Sequence, residues 1–360
     1  MRKNKIIFKN ILFLNNYLAP MSSDDAKASF EKMKKLAESG NNDAQYNLGQ
    51  MYENGDGVAK NVNEAALWYK RSAENGNKWA QRDLGRMYEG GIGTVKNERE
   101  AFRFYSLSAN QGNVWAQRDL GRAYENGIGT VKNENEAIVW YGKASAEGDM
   151  WAQYFLGRMH MGGRGTARNE SEAVRLFKLS ADQGNMWAQL DLGHAYAEGR
   201  GVKKDENEAV RFLKMPAEKG NPSAQYELGK LYMNGKTVHN SKDAAKYLKL
   251  SADQGYQWAQ YELGRMYAES KNGDAVKYLR VSADQGNMWA QYELGRIYAD
   301  GKLAAKDDSE AVRLYRRSAD QGNSKATREL GWMYMAGRGV RKDVDEAKRL
   351  FELADKSEHK

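Results

Sequence analysis

Six tryptophans occupy one equivalent position of a pattern that recurs along the chain, and they are Trp79, Trp115, Trp151, Trp187, Trp258 and Trp289. Three residues further on is a mixed row that includes Tyr154, Tyr261 and Tyr292. One helical turn after that is a mostly basic row that includes Arg86, Arg122, Arg158, Arg265 and Arg296. Positions i, i+3 and i+7 share one helix face. Trp, Tyr and Arg dominate the energetics of protein interfaces, so the chemistry indicated is recognition of another molecule.

Three interpretations of these rows compete. In the first, the indoles pack over the seam between successive copies, and the arginines are neutralised by acids three residues earlier, such as Asp83 for Arg86 and Glu293 for Arg296. In the second, the rows form an aromatic–basic groove for a protein segment. In the third, they bind an anionic polymer through charge and stacking. A row of acids that includes Asp83 and Glu293 interrupts the positive field and argues against the third interpretation.

Residues for catalysis are scarce. The chain has no Cys and four His, namely His160, His194, His239 and His359. It contains no H-E-x-x-H motif, and the glycine-rich stretch 90–97 lacks the Gly-Lys-Ser/Thr ending of a phosphate-binding loop. We therefore predict a protein that is not an enzyme and has no cofactor and no metal site.

The elements that position these rows are repeats. One glycine returns nine times, at intervals of 36 residues with two exceptions of 35 and 31, and its copies are Gly49, Gly85, Gly121, Gly157, Gly193, Gly229, Gly264, Gly295 and Gly331. Around Gly295, the spacing of Ala290, Leu294 and Ile297 predicts the buried stripe of a first helix. Glycine inside a helix costs about 1 kcal/mol. Its recurrence predicts close packing against a neighbouring helix, and nine copies predict a solenoid.

Each copy then continues with a loop and a second helix. In the fuller copies the loop has two glycines, such as Gly127 and Gly129, which supply positive φ angles. Asn or Asp follows, with an acid three residues later, as in Asn97 and Glu100, a spacing typical of a capping box. The second helix buries residues spaced like Ala311, Leu314, Tyr315 and Ala319.

The order A-Q-x-x-L-G-x-x-Y, G-x-G, N/D-x-x-E-A and S-A-x-x-G-N resembles the Sel-one-like repeat family, a relative of the tetratricopeptide repeats. The resemblance implies an all-α fold, a right-handed α-solenoid of nine antiparallel helix-pair repeats of about 36 residues, whose first helices line the concave side. It also implies a scaffold or adaptor that binds another protein or peptide segment. Two alternatives rest on the family alone: a bacterial immunity protein that sequesters a secreted toxic effector, and a hydrolase like that claimed for cysteine-rich relatives.

The chain divides into a leader over 1–21, a capping helix over 22–41, nine repeats over 42–355 and a charged tail over 356–360. Pro216 predicts a bent or shortened second helix in the fifth copy. The seventh copy has a trimmed loop and Lys271 where the cap is expected, which we interpret as a tolerated deletion or as a notch for a partner. The outer side of the last helix pair is a candidate for weak self-association.

Formal charge is +8, and residues 1–20 contribute four basic side chains. The rest of the chain is mildly basic, so we expect no nucleic-acid partner. No apolar run reaches the length of a membrane span, so none is expected. The start has the basic opening of a signal peptide, but its apolar part is interrupted and no clear cleavage site follows. We predict a cytoplasmic protein whose leader is disordered or whose translation starts at Met21; the alternative is a periplasmic or secreted protein.

Overall fold

The computed structural model describes residues 23–358, in which there are nineteen α-helices and no strand. They are α1 (Ser23–Glu38), α2 (Asn42–Asn54), α3 (Val62–Glu74), α4 (Lys78–Gly90), α5 (Glu98–Asn110), α6 (Val114–Asn126), α7 (Glu134–Ala146), α8 (Met150–Gly162), α9 (Glu170–Asp182), α10 (Met186–Glu198), α11 (Glu206–Glu218), α12 (Pro222–Asn234), α13 (Ser241–Asp253), α14 (Gln257–Glu269), α15 (Asp274–Asp284), α16 (Met288–Asp300), α17 (Asp308–Ala319), α18 (Ser324–Ala336) and α19 (Val344–Glu358). The predicted all-α fold of nine helix pairs is confirmed.

The helices fall into two compact units, and the chain passes from one to the other between the fourth and fifth repeats. The first unit, which ends at Asn185, holds α1 and the four pairs from α2/α3 to α8/α9. Its buried clusters join neighbouring helix pairs. For example, Tyr69 of α3 and Leu84 of α4, which belong to consecutive pairs, lie in the same buried cluster. The helix α1 packs Phe30 and Ala37 against α2, as expected of a cap.

The second unit begins at Met186 and holds the five pairs from α10/α11 to α18/α19. The predicted stripe of its first helix α16 is buried, with Ala290, Leu294 and Ile297 exposed by 8% or less. In α17, Ala311, Leu314 and Tyr315 are buried as predicted, whereas Ala319 is half-buried. The periodicity of apolar residues therefore identified the inward faces of both helix types.

The recurring glycines have two separate packing roles. The helical Gly121 lies against the ring of Tyr141 in α7, where an added Cβ would stand 2.7 Å from the ring. The loop glycine Gly129 has a φ of 67°, and a Cβ there would collide with the carbonyl oxygen of Glu98 at the start of α5. Close approach between helices explains the first glycine, and contact with the preceding repeat explains the second.

The predicted helix caps form, but half of the predicted capping box does not. Asn97 accepts a hydrogen bond from the backbone N–H of Glu100, at 3.2 Å. The Glu100 carboxylate binds Arg103 one turn later, at 3.0 Å, instead of reaching back. The backbone N–H of Asn97 donates to the carbonyl of Tyr88, at 2.8 Å, so no orphan donor is left for the acid.

Two irregular repeats differ from expectation. The helix α11 keeps the usual 13 residues although Pro216 lies inside it, so the helix is not shortened, and the alternative of a bend stays a prediction. In the seventh repeat, Asn272 accepts from the backbone N–H of Asp274 at 3.0 Å, so the helix start has a side-chain acceptor beside Lys271. Leu303 replaces a loop glycine in the next repeat and packs against the core beside Ala268.

The predicted leader over 1–21 and start at Met21 lie outside the described residues. The predicted charged tail over 356–360 begins inside α19, which continues to Glu358. The remaining two residues, including His359, are outside the described range.

Candidate protein-binding face

The repeated tryptophans lie in the first turn of the first helices, and a side-chain cap fixes the start of several of these helices, although the helix of Trp258 has none. In the second repeat, the side chain of Asn77 accepts hydrogen bonds from the backbone N–H groups of Trp79 and Ala80, both at 2.9 Å. Four of the six indoles are exposed, with fractions of 37% for Trp79, 41% for Trp115, 46% for Trp187 and 43% for Trp258. Trp151 and Trp289 are half-buried. Four of the six indoles therefore keep accessible surface.

In the first unit, we call Trp79, Trp115 and Trp151 the indole face. The rings of Trp79 and Trp115 touch across the repeat boundary, with centroids 5.5 Å apart and planes inclined by 59°. Lys78 lies 5.2 Å from the Trp79 ring, and the Arg82 guanidinium lies 5.9 Å from the Trp115 ring. Cations over indole faces are attracted by the ring quadrupole. This face thus has two exposed rings with cations beside them.

Trp151 is less exposed than Trp79 and Trp115 because it has different neighbours. It stacks on Phe155 with centroids 6.0 Å apart. Tyr154, predicted to line the groove, is exposed by 7% and packs against Phe155 and Phe177. That prediction is wrong for Tyr154, whose ring is buried, as are the equivalent Leu190 and Tyr226 in the next two repeats.

Arg82 and Arg118 form ion pairs between consecutive repeats. Arg82 donates to Asp119 of the next repeat at 2.9 Å and to Asp83 at 3.0 Å. Arg118 donates to Asp149, the cap of α8, at 3.0 Å and lies 3.4 Å from Asp119. Burial disfavours the Arg82 cation, but Asp119 and Asp83 outweigh it, so the pKa of Arg82 is raised. Both guanidinium groups are therefore already paired.

The basic row of the first unit is also mostly paired. Arg86 lies 3.4 Å from Asp83, as predicted from their spacing. Arg122 binds both carboxylate oxygens of Glu89, at 2.6 and 2.7 Å. Arg158 is exposed, lies 5.9 Å from the Tyr154 ring and has no ion pair with a residue of the described range. Arg158 is thus the groove cation that is left open in this unit.

Glu89 is the centre of a small half-buried network. Besides Arg122, it accepts a hydrogen bond from the hydroxyl of Tyr105 at 2.7 Å. Burial raises the pKa of Glu89, but the hydrogen bonds from Arg122 and Tyr105 outweigh burial and hold it below its ordinary value. The same tyrosine–glutamate bond recurs between Tyr69 and Glu53 and between Tyr141 and Glu125.

In the second unit, the rows are partly exposed. Trp258 is exposed, and Tyr261 and Tyr292 are half-buried. Arg265 pairs with Glu262 at 3.0 Å, and Arg296 pairs with Glu293 at 3.1 Å, the second as predicted.

The trimmed seventh repeat adjoins an open cleft in this unit. Its volume is about 650 Å³, and its lining includes Lys271, Arg265, Arg296 and Leu303. Acids line it as well, including Glu269 and Asp300, so its charge is mixed. The cleft agrees in position with the predicted notch, but its lining selects no single class of ligand.

Sequence reasoning missed one exposed aromatic residue and one polar network. Trp332 is exposed by 56% and packs on Phe351, with centroids 4.9 Å apart. Its position in the basic row was visible in the sequence. The recurrent A-Q and S-A pairs signalled the network: Gln111 donates to Gln81 at 2.7 Å, and similar glutamine pairs recur in both units.

Among residues 23–358, no group of three or more His, Asp or Glu is placed to hold a metal ion. Over the same range, no helix has both the length and the apolar character required to cross a membrane.

The Sel1 repeat model matches nine stretches of the chain, which are 42–77, 80–113, 116–149, 152–185, 188–221, 222–256, 259–287, 290–323 and 324–354. The chain belongs to the Sel1 repeat family. Sel1 repeat proteins are generally protein-interaction scaffolds, and the repeat is a non-enzymatic fold. Among proteins of curated function, none matches this Sel1 repeat chain.

Solved structures resemble this Sel1 repeat protein over much of its length. One is c5321 of uropathogenic Escherichia coli, a protective antigen with this repeat fold, at 30% identity and a TM-score of 0.58 over 91% of this chain and 81% of that chain. Another is a Sel1 repeat protein of Oxalobacter formigenes, at 30% identity and a TM-score of 0.54 over 62% of this chain and 99% of that chain. The immunity protein Pa5087 of Pseudomonas aeruginosa is 24% identical with a TM-score of 0.34, over 57% of this chain and 81% of that chain.

Proposed function

We propose that this Sel1 repeat protein is a binding scaffold that takes a segment of another protein on the side where its first helices carry their tryptophans. The observation that carries this proposal is the exposure of Trp79, Trp115, Trp187 and Trp258, by 37 to 46%. An indole with this much exposed area, on a helix whose opposite side is buried, leaves apolar surface in water. This is unfavourable, and the exposed part adds nothing to the core. Truncating a tryptophan at the centre of an interface commonly removes much of the binding energy.

The predicted roles of the other rows change in this proposal. The sequence suggested a groove in which arginines face the partner beside the aromatic rings, but Arg82, Arg118 and Arg122 are bound to acids of the protein itself. Arg158 is the exception in the first unit. The indoles are therefore the anchors for the partner, and the arginines stabilise the surface on which the indoles lie.

The experiment compares the native protein with a variant in which Trp79, Trp115, Trp187 and Trp258 are all alanine. Cross-linked capture from the native host identifies candidate partners, and each candidate is then purified and titrated against both proteins. We expect a direct complex with the native protein and loss of binding by the variant, at an unchanged helical melt.

A control variant replaces Val95 and Val131, which are exposed by 88% and 84% on interhelical loops, by alanine. This variant should bind like the native protein. A purified partner that binds both the native protein and the four-tryptophan variant equally would refute the proposal. A collapsed melt of that variant would show that the indoles are structural after all.

Three further expectations stay predictions. The immunity role has no support from structural likeness at the level of Pa5087. Cytoplasmic location and its alternative, export, depend on residues 1–20, which the structure does not describe. Absence of catalysis and of nucleic-acid binding can be tested by turnover of purified protein and by the salt dependence of any binding.

A further inference from the structure

We propose that the indole face of the first unit takes an uncharged, proline-rich segment of its partner in an extended polyproline II conformation. This inference rests on the proposed function and names the chemistry of the partner. It starts from what the surface around Trp79 and Trp115 still offers after the protein has satisfied its own charges.

The two guanidinium groups beside the rings are already engaged by carboxylates, and the Lys78 ammonium lies over the Trp79 ring. Arg82 binds Asp119 and Asp83, and Arg118 binds Asp149 and also lies close to Asp119. The side chains of Arg82 and Arg118 are 17% and 19% exposed. The side chains of their carboxylate partners are 12% exposed or less. An acidic segment would have to displace these carboxylates, and a basic segment would have to displace the arginines. Breaking a partly buried pair leaves a charge without its partner, which is costly.

The rings themselves keep part of their surface accessible. Trp79 and Trp115 are exposed by 37% and 41%. In the described part of the chain, neither indole N–H donates a hydrogen bond to another residue. The face therefore offers apolar ring area and unused donors, while the neighbouring acceptors are taken by arginine.

A proline-rich segment fits this combination. Proline has a carbonyl acceptor but no N–H, so it matches a surface that has donors and lacks free acceptors. The polyproline II helix has no internal hydrogen bonds, and its carbonyls point outward. Aromatic-lined grooves bind such segments with little loss of conformational entropy. A β-strand would need acceptors as well as donors, and a helical partner would leave the indole N–H groups unused.

The test titrates the full-length protein with three synthetic peptides: an uncharged proline-rich peptide, the same peptide with alanine for proline, and an acidic peptide. Calorimetry and tryptophan emission report binding. We expect saturable binding of the proline-rich peptide, with at least about tenfold weaker binding of the alanine peptide. Because the charges are paired internally, raising salt from about 50 to about 500 mM should change the dissociation constant less than about twofold.

Two variants localise the interaction. Trp115→Ala should weaken binding of the proline-rich peptide by about 30-fold. Trp115→Phe keeps an aromatic ring but removes the N–H, and it should fall between the native protein and Trp115→Ala. The control Val131→Ala, in the loop of the same repeat, should bind like the native protein. If Trp115→Ala does not fold, Trp79→Ala and Trp115→Phe test the same point.

Equal binding of the alanine peptide, preference for the acidic peptide, or binding that Trp115→Phe and Trp79→Ala both leave unchanged would overturn the inference. If a purified partner binds through the tryptophans while the proline-rich peptide does not bind, this inference fails and the proposed function stands. If the four-tryptophan variant keeps its partner, the proposed function fails.

Discussion

Gly121 of α6 lies against the ring of Tyr141 in α7, so closely that a methyl group on Gly121 would stand 2.7 Å from the ring. Tyr141 is fully buried and its hydroxyl donates to Glu125 at 2.7 Å, so the ring has little freedom to move away. This contact within one helix pair explains why a residue that disfavours helices recurs at the same place.

Gly121→Ala should therefore destabilise the protein. Alanine favours a helix by about 1 kcal/mol over glycine, but overpacking a buried contact costs about 1–3 kcal/mol. Gly142→Ala is a matched control in the adjacent helix α7, because a Cβ there would meet nothing within 4 Å. Chemical denaturation should show a lower free energy of unfolding for Gly121→Ala and a higher one for Gly142→Ala. An increase in both would mean that the Tyr141 contact yields without cost.

A second prediction concerns the serine that joins the two helices of a repeat. Ser180 of α9 donates to the carbonyl of Met150 at the start of α8, at 2.6 Å. Ser180→Ala leaves that carbonyl without this donor and should lower the free energy of unfolding by about 1 kcal/mol. Ser106, which bonds within its own helix, is the control, and Ser106→Ala should change stability by less than about 0.5 kcal/mol.

The third repeat allows the reverse substitution. Ala144 is buried at the position that Ser180 occupies in the fourth repeat. Ala144→Ser can restore the missing bond to the first helix of its pair, and should stabilise the protein by up to about 1 kcal/mol. A loss of stability in Ala144→Ser would show that the hydroxyl cannot reach the carbonyl of Val114.

A third prediction is a pH dependence that comes from Glu89. Its pKa in the folded protein is lowered below the ordinary value of 4.5. The unfolded chain therefore takes up a proton first, and the stabilisation by Glu89 is complete above about pH 5 and lost as the pH falls through 4.5 towards the lower folded value. As the pH is lowered, the melting temperature of the native protein should fall more steeply than that of Glu89→Gln, whose side chain at position 89 cannot titrate. Parallel curves would contradict the role of Glu89.

A fourth prediction concerns self-association through the C-terminal helix. Eight repeats have an apolar residue where α19 has Lys348, namely Ala66, Phe102, Ile138, Val174, Val210, Ala245, Val276 and Val312. Eight have Ala or Ser where α19 has Asp355, which is paired with Arg328 at 2.8 Å. In internal repeats these positions belong to the cluster shared with the next helix, as for Val312 and its neighbours. Charges at such an edge oppose docking of another apolar surface.

The variant with Lys348→Val and Asp355→Ala should therefore form dimers at lower protein concentration than the native chain. Sedimentation at a series of concentrations measures the difference. A native protein that is monomeric at all concentrations would refute the predicted weak self-association. A variant with the same mass as the native protein would show that the two charges are not what separates the molecules.

The sequence predicted the repeat and the helix faces because these depend on spacing within one short segment, whereas it left open whether the tryptophans are exposed or packed between repeats. The partners of the arginines could be predicted only where they lie on the same helix, as for Arg296 and Glu293. Arg122 instead binds Glu89, 33 residues away in the preceding repeat, and this pairing depends on how two helices are placed. Tyr154 packs against Phe177 of its paired helix, and the equivalent Leu190 and Tyr226 are buried as well, which depends on how closely the two helices of a pair approach.

The pairing of Arg82 with Asp119 also constrains how such a chain can gain or lose a copy. Since the cation and its carboxylate belong to adjoining repeats, a duplicated or deleted unit leaves the junction satisfied only if the incoming neighbour presents an acid within reach. The fourth repeat shows one such substitution. Phe155 occupies the position where an aspartate is expected, and the capping Asp149 accepts the hydrogen bond from Arg118 instead of that aspartate. Growth of the array is therefore limited by compatibility between adjacent modules, in their charges as well as in the buried clusters that they share.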